Sequence, residues 1–255
     1  MKAHALRRNE AVDRFADVDE TIYRIKSCSE ETEVAALLHS LIQQFGAESY
    51  VFINLSHDRL NRENYRYLIG CSPKWCQLYN AKKWSAIDPF IRYSLHNSAP
   101  VLGSAIQPES SGQRELLEAA ALNGFRSGMV IPAHAGSQSR IGVLYVGSMK
   151  PPTQAEPVLM RNRNYLRAIA LELFEWTEAK LNAEIIARFQ FDSFDIDLLK
   201  LERQGFTADD AASLLGSTAA IVNHRFLRIN EKLEVRHKKD AAEKAVELGI
   251  LRGVA

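Results

Sequence analysis

The C-terminal part of the chain carries helix caps and turn residues at the spacing that a compact helical unit requires. Thr207 lies three residues before Asp210, close to the capping-box pattern, and opens a short helix. After a glycine turn at Gly216, Thr218 is a suitable N-cap for the next helix. That helix has one apolar face, formed by Val222, Phe226, Ile229 and Leu233. A short helix, a glycine turn and a longer amphipathic helix together predict a helix-turn-helix.

The longer helix also begins a basic stretch. Between residues 224 and 239, six Lys and Arg side chains stand against two Glu side chains, in a chain whose formal net charge is only +1. Phosphates attract such concentrated positive charge, and base edges in the major groove are read by side chains such as Asn and Arg. The DNA-contacting side chains predicted on this basis are Thr218, Asn223, Arg225, Arg228, Lys232, Lys238 and Lys239. The alternative is that these charges form the solvated face of a helical protein-interaction domain.

Length and composition limit the class of protein that the chain can form. Its 255 residues favour one larger domain and one small one. With 46% hydrophobic and 25% charged residues, it has the composition of a globular protein rather than of a disordered or polycationic chain. Its three cysteines are too few and too irregularly spaced for a disulfide framework or a zinc site. No run of 18 apolar residues occurs, so we expect a cytoplasmic protein that does not enter a membrane.

No pattern typical of an enzyme occurs along the chain. A nucleophile elbow, a glycine-rich phosphate loop and a His-Glu-x-x-His sequence are absent, and the seven histidines are scattered. A phosphorylated receiver domain is disfavoured as well, because it needs an acidic pocket in a βα array and this chain begins with helices. We therefore expect a protein that is not an enzyme, with no catalytic residue, no metal and no cofactor.

The N-terminal part alternates between helical and strand-like segments. Helical periodicity is found at 9–28, 30–45, 73–97 and 113–122, and in a long segment from Pro157 to about Ile185. Runs rich in Val, Ile and Tyr predict strands at 49–55, 65–71, 125–134 and 140–148, and a shorter one at 100–102. Strands that come in pairs, with helices between them, predict an antiparallel sheet in an α/β/α sandwich. The fold class is therefore predicted as α+β, followed by a four-helix helix-turn-helix domain.

The C-terminal residues resemble the DNA-binding module of LuxR-type regulators of bacterial quorum sensing. The family pattern can be followed without a gap through Asp195, Leu199, Gly205, Thr207, Asp210, Ala212, Leu215, Gly216, Val222, Ile229, Lys232, Leu233 and Val235. Asp195 stands where Glu is usual, and Ile221 stands where Thr is usual. The core positions of the module therefore match the family pattern, while the face that reads the bases differs from it.

The N-terminal part resembles the acyl-homoserine lactone domain of the same family, through Trp75, Tyr79 and Asp88 followed by Pro89. The resemblance implies that the Trp75 indole N–H donates to a lactone carbonyl and that Asp88 accepts from the ligand amide. Three further positions implied for the pocket depart from the family pattern: Cys71 and Trp84 stand at or near frequent tyrosines, and Tyr145 stands where Ser or Thr is frequent. Gly103 lies near a frequent tryptophan, so the ligand is expected to be unusual or absent.

The resemblance also implies an organisation and a mechanism. Residues 1–186 are expected to form a small-molecule-binding and dimerisation domain, 187–192 a linker, and 193–255 the helix-turn-helix domain. The expected partners are a small-molecule signal, double-stranded DNA with two-fold symmetry and a second copy of the chain. The alternative is a homologue that acts without a ligand, as an anti-activator, by forming a heterodimer with another regulator.

Overall fold

The computed structural model describes residues 17–57, 63–134 and 140–251. The chain divides into two compact units, the first of which ends at Trp176 and the second of which begins at Thr177. None of the helices in the described ranges is long and apolar enough to pass through a membrane.

The first unit is built on a five-stranded antiparallel sheet. Its strands are β1 (Ser49–His57), β2 (Glu63–Gly70), β3 (Val101–Leu102), β4 (Ser127–His134) and β5 (Arg140–Ser148). Their order across the sheet is β2-β1-β5-β4-β3. Central strand β5 pairs with β1 and β4, which places Leu144 opposite Phe52 and Tyr145 opposite Val130. The predicted strands are confirmed, with ends that differ by a few residues.

Helices cover both faces of this sheet, as predicted for the α+β sandwich. One face carries α1 (residues 17–24), α2 (Glu31–Gln44), α6 (Pro152–Arg161) and the first part of α7 (Arg163–Phe189). The other face carries α3 (Pro73–Ala81), α4 (Pro89–His96) and α5 (Ser111–Leu122). Successive side chains of a strand point to opposite faces, so Phe52 packs into the first core and Ile53 into the second. The continuous apolar runs of β1 and β5 are therefore what a sheet covered on both sides requires.

The helical segment predicted at 73–97 is divided into two helices. A 3-10 turn, Trp84–Ala86, separates them, and it is preceded by Lys83 in the left-handed region with φ of +53°. Asp88 then caps α4, whose first residue is Pro89. A left-handed residue and a proline without a backbone N–H are both incompatible with one continuous helix. This break separates Trp75, on α3, from Asp88, at the start of α4.

The long helix predicted from Pro157 to about Ile185 is wrong at both ends. Pro157 lies inside α6, and that helix ends at Asn162, whose backbone leaves the helical region with ψ of 7° and whose side chain donates to the Val158 carbonyl. Helix α7 then runs on to Phe189 and ends at Gln190, which has φ of +50°. The sequence predicts a linker over 187–192, whereas only residues 190–192 lie between α7 and the next helix.

The first predicted helix, 9–28, is only partly within the described residues. Residues 9–16 lie outside them, and residues 17–24 are helical as predicted. The helix ends early because Ile25–Ser27 forms a 3-10 turn, and Cys28 is extended with ψ of 134°.

The second unit contains the predicted helix-turn-helix. Its helices after α7 are α8 (Ser193–Arg203), α9 (Ala208–Leu214), α10 (Ala219–Leu233) and α11 (Lys238–Glu247). The Thr207 hydroxyl accepts from the Asp210 N–H at 3.2 Å, and the Asp210 carboxylate accepts from the Thr207 N–H at 3.0 Å. Gly216 has φ of +61°, as the turn between α9 and α10 requires. The apolar face of α10 is buried against α8 and α11, with Val222, Phe226, Ile229 and Leu233 in one core.

Candidate ligand cavity and nucleic-acid interface

A cavity of about 720 Å³, including its mouth, lies in the first unit between the sheet and helices α3, α4 and α5. Its wall is mostly aliphatic and aromatic. Four of the six side chains that the sequence predicts for the ligand site line it, namely Trp75, Tyr79, Asp88 and Tyr145. The structure therefore brings together residues from α3, the start of α4 and β5, which are far apart in the sequence.

Asp88 is buried at the cavity and is held by its neighbours. The Tyr79 hydroxyl donates to Oδ2 of Asp88 at 2.7 Å, and the Phe90 backbone N–H donates to Oδ1 at 2.8 Å. Burial raises the pKa of Asp88 above its ordinary value, while these hydrogen bonds act in the opposite direction. A carboxylate has about four lone-pair sites. Asp88 therefore keeps the capacity to accept a further hydrogen bond from a molecule in the cavity.

Trp75 is buried on α3 and presents an unsatisfied donor. Its ring lies 5.9 Å from Tyr79, 5.7 Å from Trp84 and 6.2 Å from Phe125, measured between ring centroids. In the described part of the chain, no protein group accepts a hydrogen bond from its indole N–H. Among the described residues, the buried side-chain polar atom without a partner is Oδ1 of Asn230, so the indole N–H is reached from the cavity that Trp75 lines. The side chain is therefore suited to donate to a bound molecule.

Tyr145 places a phenol ring in the wall of the cavity. The ring lies 4.6 Å from Phe90 and 5.0 Å from Phe125 between centroids. A Cβ atom at Gly128 would lie 3.0 Å from the Tyr145 hydroxyl, and one at Gly103 would lie 3.5 Å from it. Gly128 therefore leaves room for this ring, whose burial raises the pKa of its hydroxyl. Within the described ranges the hydroxyl has no protein hydrogen-bond partner.

The other two residues predicted for the pocket, Cys71 and Trp84, do not line the cavity. Trp84 is buried behind it and packs against Trp75 and Tyr79. The Cys71 sulfur lies 3.6 Å from that of Cys76, and it is Cys76 that faces the cavity. Both predictions fail because of where the residues lie in the fold: Cys71 precedes α3, and Trp84 belongs to the 3-10 turn.

Sequence reasoning missed most of the apolar wall. The additional lining residues are Val51, Ile53, Tyr67, Ile69, Cys76, Asn80, Phe90, Ile91, Leu116, Ala120, Phe125 and Val143. The period-two alternation of the strands could have identified some of them. Val51, Ile53 and Val143 share a sheet face with Tyr145, so one known pocket residue on β5 indicates which face of β1 lines the pocket.

In the second unit, four of the predicted DNA contacts are exposed. Asn223 and Arg228 lie on the outer surface of α10, Thr218 caps its start, and Lys239 lies in the first turn of α11. The Thr218 hydroxyl accepts from the Ile221 backbone N–H at 3.3 Å, so it contributes to helix formation as well. Ile221, next to Asn223, is 49% exposed, which adds an apolar contact surface to the same helix.

The other three predicted DNA contacts have partners inside the unit. Arg225 donates to Asp192 at 2.8 Å and to Asp195 at 3.2 Å. Lys232 donates to the Gln190 carbonyl at 2.8 Å, and Lys238 lies 3.2 Å from a Glu202 carboxylate oxygen. These cations therefore contribute to the structure of the unit whether or not they also meet phosphate.

Comparisons with known proteins agree with this architecture. Residues 30–175 match the family described as autoinducer binding domain. The chain is similar to the transcriptional activator protein AhyR of Aeromonas hydrophila, with 22% identity over 241 residues that cover 91% of each chain. It is also similar to the transcriptional activator protein PhzR of Pseudomonas fluorescens, with 25% identity over 198 residues, 72% of this chain and 75% of PhzR.

Solved structures show the same fold. The crystal structure of Escherichia coli SdiA aligns with a TM-score of 0.62 at 18% identity, covering 92% of this chain and 98% of SdiA. A structure of SdiA in complex with octanoyl-rac-glycerol aligns with a TM-score of 0.63 at 19% identity, covering 92% of this chain and 96% of SdiA.

Proposed function

The chain belongs to the LuxR-type family of quorum-sensing transcriptional regulators, and from this premise we propose that it is a ligand-responsive regulator that acts as a dimer in the cytoplasm. Its ligand is an acyl-homoserine lactone or a similar small amphiphile, and its target is a two-fold related site on double-stranded DNA. The observation that carries the proposal is the unsatisfied indole N–H of Trp75 beside the buried Asp88 in an otherwise apolar cavity.

The cavity supports a ligand with one polar end and one apolar end. Trp75 offers a donor and Asp88 offers an acceptor, so together they suit a group that contains both a carbonyl and an N–H or O–H. The remaining wall suits a hydrocarbon or aromatic chain because it is formed by side chains such as Ile53, Leu116 and Phe125. SdiA, which shares the fold, is known in complex with octanoyl-rac-glycerol, and we therefore include acylglycerols among the candidates.

Tyr145 favours a ligand that differs from one fitted to a small hydroxyl residue. Its ring takes up more space in the cavity wall than a small hydroxyl residue would, and its hydroxyl is available for hydrogen bonding. A ligand with a short or narrow chain, or with a polar group that reaches the Tyr145 hydroxyl, is favoured. The selectivity of the cavity therefore depends on Tyr145 as well as on the Trp75 and Asp88 pair.

A thermal-shift series tests the ligand. The full-length protein is heated with N-acyl-homoserine lactones of increasing chain length and with 1-octanoyl-rac-glycerol. A molecule that binds only the folded protein stabilises it by roughly 2.7 kcal/mol when present at about 100 times its Kd. We expect one class to raise the melting temperature with a saturable concentration dependence. If no member of either class does so, the ligand proposal is overturned.

The DNA-binding half of the proposal depends on α10 and the start of α11. Asn223 and Arg228 are available for base edges, while Lys239 is available for phosphate. We expect the protein to retard fragments of its own promoter region in a gel-shift assay, with stronger retardation by a two-fold symmetric site than by a half-site. Equal affinity for scrambled DNA would contradict the proposal of sequence-specific binding.

Dimer formation is the third part of the proposal, and α7 is the element proposed to contribute to it. Leu171 on α7 is 40% exposed, an apolar side chain on the outside of the first unit. Light scattering of the purified protein with ligand is expected to give twice the mass of the 28.7 kDa chain. A mass equal to that of a single chain, at the protein concentration at which DNA is bound, would contradict the proposed dimer.

A second candidate is an anti-activator that pairs with another regulator. The internal ion pairs of Arg225 and Lys238 favour it, because they reduce the positive charge available to DNA. Gel shifts at several salt concentrations separate the candidates. Salt-dependent retardation by the purified protein supports the regulator, whereas its absence, together with inhibition of a related regulator, supports the anti-activator.

A further inference from the structure

Two cysteines lie side by side at the start of α3. Cys71 directly follows β2 and Cys76 lies on α3, yet their sulfur atoms are only 3.6 Å apart. Both residues are half-buried and both are free thiols. A disulfide requires about 2.05 Å between sulfurs, so the two sulfur atoms must approach each other by about 1.6 Å to form one.

Access to this pair differs between the two sulfurs. Cys76 lines the cavity, so a small oxidant that enters the cavity meets it first. Cys71 packs behind, in the core that contains Trp75 and Phe125. Burial raises the pKa of Cys71 well above that of an ordinary thiol, which keeps its proton in place at neutral pH. Cys76 is therefore the residue that reacts first and Cys71 the residue that resolves the product.

We propose that Cys71 and Cys76 form a redox modification site, in which a peroxide converts the pair to a disulfide in the wall of the cavity. Cys76 attacks the peroxide, its sulfur gives two electrons to the O–O bond, and Cys76 sulfenic acid and an alcohol or water are produced. The Cys71 sulfur then attacks the sulfenic sulfur, the S–S bond forms, and water leaves with the Cys71 proton. A low-molecular-weight thiol reverses the change by thiol–disulfide exchange.

The disulfide has a consequence for the cavity because Trp75 immediately precedes Cys76 on α3. Drawing the two sulfurs together ties the start of α3 to the end of β2, and the Trp75 indole moves with that turn. We therefore expect oxidation to change the affinity of the cavity for its ligand. This effect rests on the proposed function, whereas formation of the disulfide does not.

Peptide mapping tests the site because Lys74 lies between the two cysteines. The full-length protein is treated with hydrogen peroxide, its remaining free thiols are blocked with iodoacetamide, and it is digested with trypsin without reduction. Cleavage after Lys74 separates the peptide 67–74 from the peptide 75–82 unless a disulfide joins them. We expect the joined pair, and its disappearance on treatment with dithiothreitol.

Cys28 is the internal control. It packs against the core on the other sheet face, and its sulfur donates to the Arg24 carbonyl at 3.4 Å. Its peptide should be alkylated after peroxide treatment, and Cys28→Ser should still give the joined pair. Cys71→Ser and Cys76→Ser should each abolish it. Alkylation of both Cys71 and Cys76 in the oxidised wild type, sulfinic acid at Cys76, or joining to Cys28 instead overturns the proposal.

The effect on the cavity is measured separately, by the thermal shift that N-octanoyl-homoserine lactone causes in the reduced and the oxidised protein. A shift that differs between the two forms, and returns on reduction, supports coupling. Equal shifts in both forms refute the coupling. No shift in either form counts against the lactone as ligand, while the peptide map still decides the disulfide.

Discussion

At the residue scale, two kinds of polar side chain line the cavity. Tyr79 and Asp88 satisfy each other through a hydrogen bond of 2.7 Å, which fixes the carboxylate before any ligand arrives. In the described structure Trp75 and Tyr145 leave an indole N–H and a hydroxyl without a protein partner. Both residues line the cavity, so a ligand that hydrogen-bonds to these groups gains affinity and orientation together.

The first residue-scale prediction concerns the Trp75 indole. Trp75→Phe keeps an aromatic ring against Tyr79 and Phe125 but removes the donor. We expect the stabilisation that the ligand provides to fall by about 0.5–1.5 kcal/mol, the net contribution of one hydrogen bond. Trp84→Phe is the matched control, because Trp84 is buried next to Trp75 but does not line the cavity. Equal loss in both variants would mean that packing, not hydrogen bonding, is affected.

The second residue-scale prediction concerns Arg225, which the sequence assigns to DNA. Arg225→Ala leaves the carboxylate of Asp195, only 6% exposed, without its cation. We expect the second unit to lose about 1–3 kcal/mol of stability in urea denaturation. Arg228→Ala, on the exposed surface of α10, is expected to keep stability and lose DNA affinity. If Arg225→Ala keeps full stability and loses DNA binding, the internal ion pair is not its main role.

The same variant has an expected pH dependence. The backbone N–H of Asp195, together with Arg225, holds the pKa of Asp192 below its ordinary value of 3.8. A carboxyl whose pKa is lower in the folded state stabilises the fold above the ordinary pKa, and this stability is lost as pH falls through the folded value. Acid denaturation of Arg225→Ala should therefore be less steep in this range than that of the wild type. Identical acid profiles would contradict the contribution of Arg225.

At the scale of elements, the sheet β1–β5 was predictable from runs rich in Val, Ile and Tyr, and its two helical layers from apolar residues at helical spacing. The break between α3 and α4 was less so, because Lys83 adopts a left-handed conformation that its side chain does not signal. The continuation of α7 to Phe189 was missed for the same reason, since only the left-handed Gln190 ends it. Propensity and periodicity do not indicate where a residue other than glycine leaves the helical region.

The candidate ligand site was likewise only partly predictable from the sequence. Trp75 and Asp88 were identified through their combined spacing and its resemblance to the family pattern, because a single Trp or Asp-Pro pair is more often part of a core or a helix start. The apolar wall was not found, since Val, Ile and Leu residues in a cavity look like those in any core. Tyr145 was identified through its position on β5, but the glycine that leaves room for its ring, Gly128, became visible only once β4 and β5 were paired.

One prediction at the scale of elements concerns the contact between β4 and β5. A Cβ atom at Gly128 would overlap the Val146 carbonyl oxygen and lie 3.0 Å from the Tyr145 ring. We expect Gly128→Ala to destabilise the first unit by about 1–3 kcal/mol. Gly103→Ala is the control, because its Cβ would meet its neighbours at 3.5 Å, an ordinary contact distance. Urea denaturation of both variants checks this, and equal stability would show that the strands adjust without cost.

At the scale of the whole molecule, sensing and DNA binding are assigned to different compact units. The first contains the cavity, and the second contains the exposed surface of α10. Changes in either unit are therefore expected to separate in assays, with cavity variants affecting ligand stabilisation and surface variants affecting DNA affinity.

The prediction at this scale is a salt dependence. If the protein binds DNA through phosphate contacts, the logarithm of its affinity falls linearly with the logarithm of salt concentration. Lys239→Ala removes one exposed cation and should reduce the magnitude of that slope by about 1. Lys26→Ala, in the first unit, is the control and should leave the slope unchanged. An unchanged slope for Lys239→Ala would place the phosphate contacts elsewhere.

The packing around Tyr145 also limits where the selectivity of the cavity can change. Gly128 is fixed by the backbone, because a Cβ atom there would overlap the Val146 carbonyl oxygen whichever residue stands at position 145. Gly103 has room for a methyl group at an ordinary contact distance. A smaller residue at position 145 would leave a space between Phe90 and Phe125. We therefore expect relatives with a different ligand to differ at position 145, while the glycine at position 128 stays the same.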